Sequence, residues 1–277
     1  MVDGEFLLTE KDFRQIAAML HGDAGIALPE SKATLVYSRL AKRLRALGLT
    51  SFRDYCELVA GERGLDERQK MLAALTTNVT RFFREPHHFD HLRTTVLPPL
   101  LDAARDGARV RLWSAACSTG QEPYSAAMTL LELAPEAGRY DIRILATDID
   151  PNVVAEGRRG EYTDDTVAPV PQELRRRWMD RTGDGWRMGE AARGLVTFLE
   201  LNLIGEWPMR GRFDAIFCRN VVIYFEDDTQ SRIWSRLTAQ LAPAGHLYIG
   251  HSERVIGPAA DALRLVGTTT YRGEERR

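Results

Sequence analysis

Between Arg109 and Ser125 the chain reads RVRLWSAACSTGQEPYS, and this stretch constrains the fold more than any other. Val110 and Leu112 alternate with Arg109 and Arg111, the period of a strand with one apolar face. From Ser114 to Gly120 no side chain is larger than threonine, so a ligand can lie against bare backbone. Tyr124, Ala127, Met128 and Leu131 then recur at three and four residues, the spacing of one helical face. A strand, a turn without bulk and a helix, in that order, form the unit at which open α/β sheets hold a cofactor.

The first quarter of the chain reads differently. Up to residue 76 the pattern is helical. Thr9 caps a helix carrying Phe13, Ile16, Ala17 and Leu20, and Gly22, Gly25 and Pro29 break the chain after it. A second helix, about Ser31 to Leu47, carries Leu35, Leu40, Leu44 and Leu47 and ends at Gly48. Ser51 opens a third with Phe52, Tyr55 and Leu58, and a fourth covers about Asp66 to Thr76. Residues 1–76 are therefore expected to form a small helical bundle. Strands and helices alternate further on, with candidate strands at Arg109–Ser114, Asp141–Thr147, Phe213–Cys218 and His246–Gly250. That alternation predicts an α/β domain with a mostly parallel, doubly wound sheet. Residues from about 163 to 203 break the rhythm. There Trp186–Met188 and Leu195–Leu199 read as short strands among Gly183, Gly185, Gly189 and Gly194, a small antiparallel insertion.

Composition excludes several classes. The 277 residues are 44% hydrophobic and 27% charged, as in soluble globular proteins. No run approaches the roughly 20 apolar residues of a membrane span. The acidic stretch Met1 to Glu10 lacks the basic start and apolar core of a signal peptide. Cys56, Cys117 and Cys218 are too few and too far apart for a disulfide framework or a zinc site, which predicts a reducing cytoplasm and no metal. A net charge of −2 carries no global signal for nucleic acid.

Asp148 falls at the carboxyl end of the second candidate strand, where an acid can accept hydrogen bonds from both hydroxyls of a ribose. The competing reading is a helix N-cap, which Asp150 before Pro151 fits better. The turn has a single glycine, Gly120, and does not match the dinucleotide fingerprint G-x-G-x-x-G. S-adenosylmethionine has no phosphate and makes no such demand, but its amino-acid end needs an acceptor for an ammonium. Glu122 supplies one. It equally has the spacing of a capping box with Thr119, and spacing alone leaves both readings open. Asn220 falls at the end of the third strand beside the same crevice, with Tyr224 in the loop beyond. Taken singly, the first is a turn residue and the second a half-buried rim residue.

Together these segments resemble the CheR-type chemotaxis receptor methyltransferases, from about Phe6 to Arg272. The resemblance rests on TTNVTRFFRE (76–85), WSAACSTGQEPYS (113–125), ATDID (146–150), FCRNVVIYF (217–225) and GHSE (250–253), in the family's order. It implies a helical domain at residues 1–76, a linker at 77–94 contributing to the cofactor site, and a Rossmann-like class I methyltransferase domain at 95–277. That last domain would carry the inserted β-subdomain. It implies S-adenosyl-L-methionine as cofactor, S-adenosyl-L-homocysteine as product, and glutamates on chemoreceptor cytoplasmic helices as acceptors for chemotactic adaptation. Asn78, Thr80 and Arg84 would reach over the cofactor, and Gly120, Glu122 and Asp148 would hold its amino-acid end and ribose. Asn202, Leu203, Asn220 and Val221 would line its adenosine, and Tyr224 would stand near the departing methyl group. Gln121 occupies a position where the family often has a second glutamate, which makes Glu122 the acid of choice.

A carboxylate acceptor needs no general base, so Arg84 and Tyr224 are the candidates for orienting it, with Arg84 alternatively serving the cofactor's own carboxylate. Asp148→Ala should then lose cofactor binding and Tyr224→Phe only turnover. Arg39, Lys42 and Arg43 share one helical face, either an ordinary solvated face or one that steers onto glutamate-rich receptor helices. Some relatives dock on a receptor's C-terminal pentapeptide by extending the β-subdomain. The short connection Thr182–Met188 here points to pentapeptide-independent recognition, unless Gly183 and Gly185 make a shortened docking loop. The alternatives to this enzyme are a cofactor-binding signalling protein and a methyltransferase acting on an acceptor outside chemotaxis.

Overall fold

Thr9 begins the first helix where the sequence places it. In the computed structural model, which describes residues 2–274, its hydroxyl accepts the Asp12 N–H while the Asp12 carboxylate accepts the Thr9 N–H. Helix α1 (Glu10–Ala24) ends at Gly25 and α2 (Ala33–Leu47) at Gly48, both left-handed, and Ser51 caps α3 (Phe52–Ala60). With α4 (Leu65–Leu75) these helices bury Phe13, Ile16, Leu20, Leu40, Leu44, Phe52 and Met71. Of the described residues, 2–77 form one compact unit, joined by Tyr224–Glu226, and the remainder forms a second. The three returning residues are held by the Ala27 N–H on the Tyr224 carbonyl and by pairing of Ile26 with Phe225. Tyr224 therefore groups with the helical unit and not with the 95–277 domain expected from sequence.

The basic face expected on α2 is largely consumed within this unit. Arg43 grips Glu67 of α4 through Nε at 2.8 Å and Nη2 at 2.6 Å, and Glu67 also accepts the buried Tyr55 hydroxyl at 3.1 Å. Arg39 donates to the Ala74 and Thr76 carbonyls at the end of α4. Lys42 alone of the three is exposed. A helical wheel treats α2 as isolated, whereas α4 supplies partners that turn two of its cations into internal struts. Arg43→Glu would set two carboxylates against each other around a side chain that is 7% exposed. We expect it to destabilise the helical unit by about 3 kcal/mol or more, read as a lower unfolding midpoint in urea.

The second unit is built on a seven-stranded sheet. Its strands in chain order are β1 (Val110–Ala115), β2 (Ile142–Asp148), β6 (Val196–Glu200), β7 (Phe213–Cys218), β8 (Leu241–Ile249), β9 (Leu263–Gly267) and β10 (Thr270–Gly273), arranged β6-β2-β1-β7-β8-β10-β9. The first five in this spatial order are parallel, and β10 runs antiparallel to β8 and β9. β1 is flanked by β2 on one side and β7 on the other, which makes its carboxyl end the switch point where such sheets bind ligands. A separate antiparallel sheet contains β3 (Glu161–Thr163), β5 (Gly185–Met188) and β4 (Met179–Thr182), in that order.

Two sequence expectations change here. Val196–Glu200, placed in the insertion by its flanking glycines, extends the main sheet parallel to β2. Gly189 is the N-cap of a short helix, Glu190–Leu195, and Gly194 lies within its last turn, so neither makes a hairpin turn. From Asn78 the expected linker segment packs into the second unit. Phe82 is buried with its ring 5.0 Å from that of Tyr162, and the Phe83 N–H donates to the Ser125 hydroxyl at 2.9 Å. From Pro86 the chain is already helical through Arg105, across the expected boundary at 95.

Candidate active site

The turn between β1 and α7 (Gln121–Leu133) holds left-handed backbone at Ala116, Ser118 and Gly120, with φ of 60°, 50° and 95°. Such strain in non-glycine residues persists where surrounding bonds fix it and gathers at functional sites. Here the Cys117 N–H donates to the Thr147 carbonyl at 2.9 Å and the Ser118 N–H to Asp148 Oδ2 at 2.8 Å. Asp148 Oδ1 also takes the Asp150 N–H at 3.1 Å. Burial pushes the Asp148 carboxyl up, while the Asp150 and Ser118 amides oppose it. Asp150 itself caps α8 (Pro151–Arg159), as its position before Pro151 predicts, and its second oxygen accepts the Asn78 amide at 3.0 Å. The Ser118 hydroxyl closes the loop on the Asn78 carbonyl at 2.9 Å. Asn78 is thus laced to the turn and to the Asp148–Asp150 corner.

Gly120 is required from behind the turn. A Cβ there would lie 3.0 Å from the Gly157 Cα, 3.0 Å from the Tyr162 hydroxyl and 3.1 Å from the Phe198 ring. Its missing side chain admits helix and strand packing. Gly120 is also the N-cap of α7, and the Thr119 hydroxyl donates to Gln121 Oε1, so no capping box forms with Glu122. Glu122 instead points at β1 and β7. Its Oε1 accepts the Ser114 hydroxyl at 2.6 Å and its Oε2 takes Arg219 Nη1 at 3.1 Å. Burial raises the Glu122 carboxyl above its ordinary value, and Arg219 and Ser114 pull against that rise.

Arg219 directly follows β7, with a side chain only 2% exposed. Beyond Glu122, it donates to the Arg84 carbonyl and lies 3.5 Å from Glu85 Oε2. Burial opposes ionisation of Glu85, but Arg219 and His251 together hold it below the usual carboxylate value. Glu85, His87 and His88 bring possible metal-ligand atoms within 4.8 Å of one another, yet Arg219 already sets a cation on that carboxylate. Cys117 and Cys218 are buried and pushed well above the ordinary thiol range, which removes them as nucleophiles.

Past Arg219 the backbone turns left-handed at Asn220, with φ 59°, and is clasped by one carboxylate. Glu253 Oε2 accepts the amides of Asn220 at 2.9 Å and Gly250 at 2.6 Å, and Oε1 those of Val221 at 2.9 Å and Val222 at 2.8 Å. Across the crevice the Leu201 N–H bonds the Asp148 carbonyl at 2.9 Å, so Asn202 and Leu203 follow directly from the Asp148 corner. Asn202 Oδ1 caps the Ile204 amide, and the buried Leu203 passes its carbonyl to Trp207 and Arg236. Thr80 is half-buried, and the Arg84 guanidinium reaches back to the Val79 carbonyl at 3.0 Å.

Residues 78–272 match the family described as "CheR methyltransferase, SAM binding domain", and residues 11–76 match "CheR methyltransferase, all-alpha domain". The chain belongs to the CheR methyltransferase family. It is 54% identical to a "Probable chemotaxis protein methyltransferase" of Rhizobium etli, over 92% of this chain and 96% of that one. It is 44% identical to "Chemotaxis protein methyltransferase 2" of Pseudomonas aeruginosa, over 96% and 94% of the two chains. With the "Chemotaxis protein methyltransferase" of Escherichia coli it shares 43%, over 95% and 91%.

This CheR methyltransferase is S-adenosylmethionine-dependent. The donor set suits that cofactor, whose ammonium and vicinal hydroxyls call for acceptors and whose lack of phosphate calls for no cation in the turn. Two carboxylates, the half-buried Glu122 and the buried Asp148, frame the turn, and residues 114–121 contain no lysine or arginine. Within the catalytic unit the hydrogen bonds join Asn78 to the Asp148 corner and Arg84 to Glu122 through Arg219. Tyr224 alone among the expected residues groups elsewhere, with the helical unit. Arg219, Glu253 and Glu85 were not singled out from the sequence. One signal was available for the first: Arg219 is the single cation in the apolar run Phe213–Phe225, and a buried cation requires an anionic partner.

Proposed function

We propose that this methyltransferase esterifies glutamate side chains on the cytoplasmic helices of chemoreceptors, with Glu122 receiving the cofactor's ammonium and Asp148 its ribose hydroxyls. The observation that carries the site assignment is the geometry of Glu122, a half-buried acid tied to Arg219 and Ser114 and not to the helix start it was spaced to cap. The receptor as partner is supported by the names of the relatives, each a chemotaxis protein methyltransferase.

Bound at the switch point, the cofactor supplies an electrophilic methyl group on a sulfonium. A glutamate acceptor with a pKa near ~4.3 is ionised at neutral pH, so the protein has no proton to remove. Its residues act by alignment and exclusion of water, which can lower a barrier by up to about 7–11 kcal/mol. Asn78 and Thr80 close over the cofactor from the segment laced to Ser118 and Asp150, and Asn202, Leu203, Asn220 and Val221 flank its base. Arg84 serves a carboxylate, that of the cofactor or that of the acceptor, and Tyr224 donates its phenol to the acceptor oxygen. Gly120 shapes the turn from behind.

Recognition of the receptor does not rest on Arg39 and Arg43, which are internal struts; Lys42 is what remains of that face. β4 and β5 are joined by the tight turn Gly183–Asp184, which supports recognition without a C-terminal pentapeptide. Among the described residues no helix is long and apolar enough to cross a membrane, and we place the enzyme in the cytoplasm beside its receptors. Labelled methyl transfer to receptor-containing membranes tests the whole reading. The expected product releases labelled methanol on treatment with base, and does so equally from receptors lacking their last five residues. Label that survives base would assign another acceptor, and no transfer would leave a cofactor-binding signalling protein.

A further inference from the structure

Arg219 lies between two carboxylates inside the catalytic unit, 3.1 Å from Glu122 and 3.5 Å from Glu85. One arginine is shared by two anions; Glu85 is also faced by His251, 3.2 Å from its Oε1, and by His88, 3.6 Å from its Oε2, whereas the ion pair of Glu122 is with Arg219. The groups around Glu122 come from several elements. Ser114 of β1 donates to it, Arg219 pairs with it, and the neutral thiols of Cys117 and Cys218 lie nearby. Glu85 and Glu253 add negative potential, the latter spread over four amides. A buried carboxylate in such company takes up a proton unless a cation holds it ionised. Here only Arg219 does so, and it occupies one oxygen of Glu122 while the other is oriented by Ser114.

We infer that Arg219 is a positioning residue that keeps Glu122 ionised and aimed, so that the cofactor's ammonium meets a carboxylate and not an acid. The inference rests on the assignment of Glu122 to the cofactor. Without Arg219, Glu85 and Glu122 face each other with no cation between them, and one of them binds a proton. That proton then competes with the ammonium, and affinity falls as pH is lowered.

The test is calorimetric binding of S-adenosylhomocysteine, whose amino group stays protonated from about pH 6 to about pH 8. The wild-type protein should show a flat dissociation constant over that range. Arg219→Met should weaken by about tenfold for each pH unit below the new Glu122 value, the slope of one competing proton. Arg219→Lys should restore a flat profile. Binding of 5′-methylthioadenosine, which lacks the amino-acid end, should follow no such slope in any variant. A flat profile in Arg219→Met, or the same slope for methylthioadenosine, overturns the inference. Should Arg219→Met not fold, Glu122→Gln decides: it mimics the protonated acid, and wild-type affinity in that variant also overturns it. Wild-type affinity for S-adenosylhomocysteine in Glu122→Gln would also remove the assignment of Glu122 beneath the inference, whereas a flat profile in Arg219→Met with weakened binding in Glu122→Gln overturns the inference alone.

Discussion

Asp148→Ala is expected to reduce affinity for S-adenosylmethionine by at least ~100-fold, because two hydrogen bonds to a charged group, each about 1.5–3 kcal/mol, are lost together with the ribose. The structure adds a second consequence. The same carboxylate holds the Ser118 and Asp150 amides, and its removal leaves both donors unsatisfied in a site where Asp148 is 6% exposed. Each orphaned amide costs about 1–3 kcal/mol, so the variant should also melt earlier than the wild type. The two effects separate experimentally. Binding is measured by calorimetry well below the melting transition, with the fold verified by near-ultraviolet circular dichroism. Tyr224→Phe provides the contrast: unchanged affinity with lower kcat. If Asp148→Ala binds the cofactor normally, the ribose assignment is wrong and the residue is a brace only.

What the sequence made legible was local in origin. Thr9, Ser51 and Asp150 cap helices because a short polar side chain can reach an amide two or three residues away, and Gly48 closes α2 because glycine tolerates φ of 68°. The four expected strands exist because short apolar runs bounded by turns suit a sheet, with β1 and β7 buried on both faces, and β8 is only longer than its apolar core suggested. The missed features depend on partners far away along the chain. Arg43 reads as a surface cation until Glu67 is placed beside it, and Arg219 carries no reading of its own until Glu122, 97 positions earlier, is folded against it. Val196–Glu200 alternates equally well as an insertion strand or as a sheet edge, and only β2 decides. The pair Thr119 and Glu122 had the spacing of a capping box, but Gly120 takes the cap with a backbone conformation that spacing does not encode. The site residues reached through the family's motifs carried no such local signal, which is why Asn78 and Arg84 read as linker until the structure laced them to Ser118 and Arg219.

Glu253→Gln should be among the most damaging single-atom changes in the catalytic unit. Its carboxylate accepts four backbone amides from two segments, Asn220–Val222 after β7 and Gly250 after β8. Glutamine keeps one acceptor oxygen and turns the other into an NH2 group aimed at two N–H donors. Two charge-assisted bonds are lost and a donor–donor repulsion replaces them, a change of about 3 kcal/mol or more. For a domain of this size that lowers the melting temperature by roughly 6–12 °C. The backbone cannot relax into the gap on the other side: a Cβ at Gly250 would lie 2.4 Å from the Asn220 side-chain Nδ2 and 2.8 Å from both the Asn220 backbone nitrogen and Glu253 Oε2, so the two segments already pack without spare room. Asn220 is held left-handed by this grip, and releasing it frees the residue to return to ordinary φ. The adenosine side of the proposed site then loses its shape along with its anchor. Binding of adenosine-containing ligands, including 5′-methylthioadenosine, should weaken at every pH, unlike the pH-graded loss expected on removing Arg219. A Glu253→Gln protein with wild-type melting temperature and nucleoside affinity would show that the four amides find other acceptors and that the clasp does not shape the site.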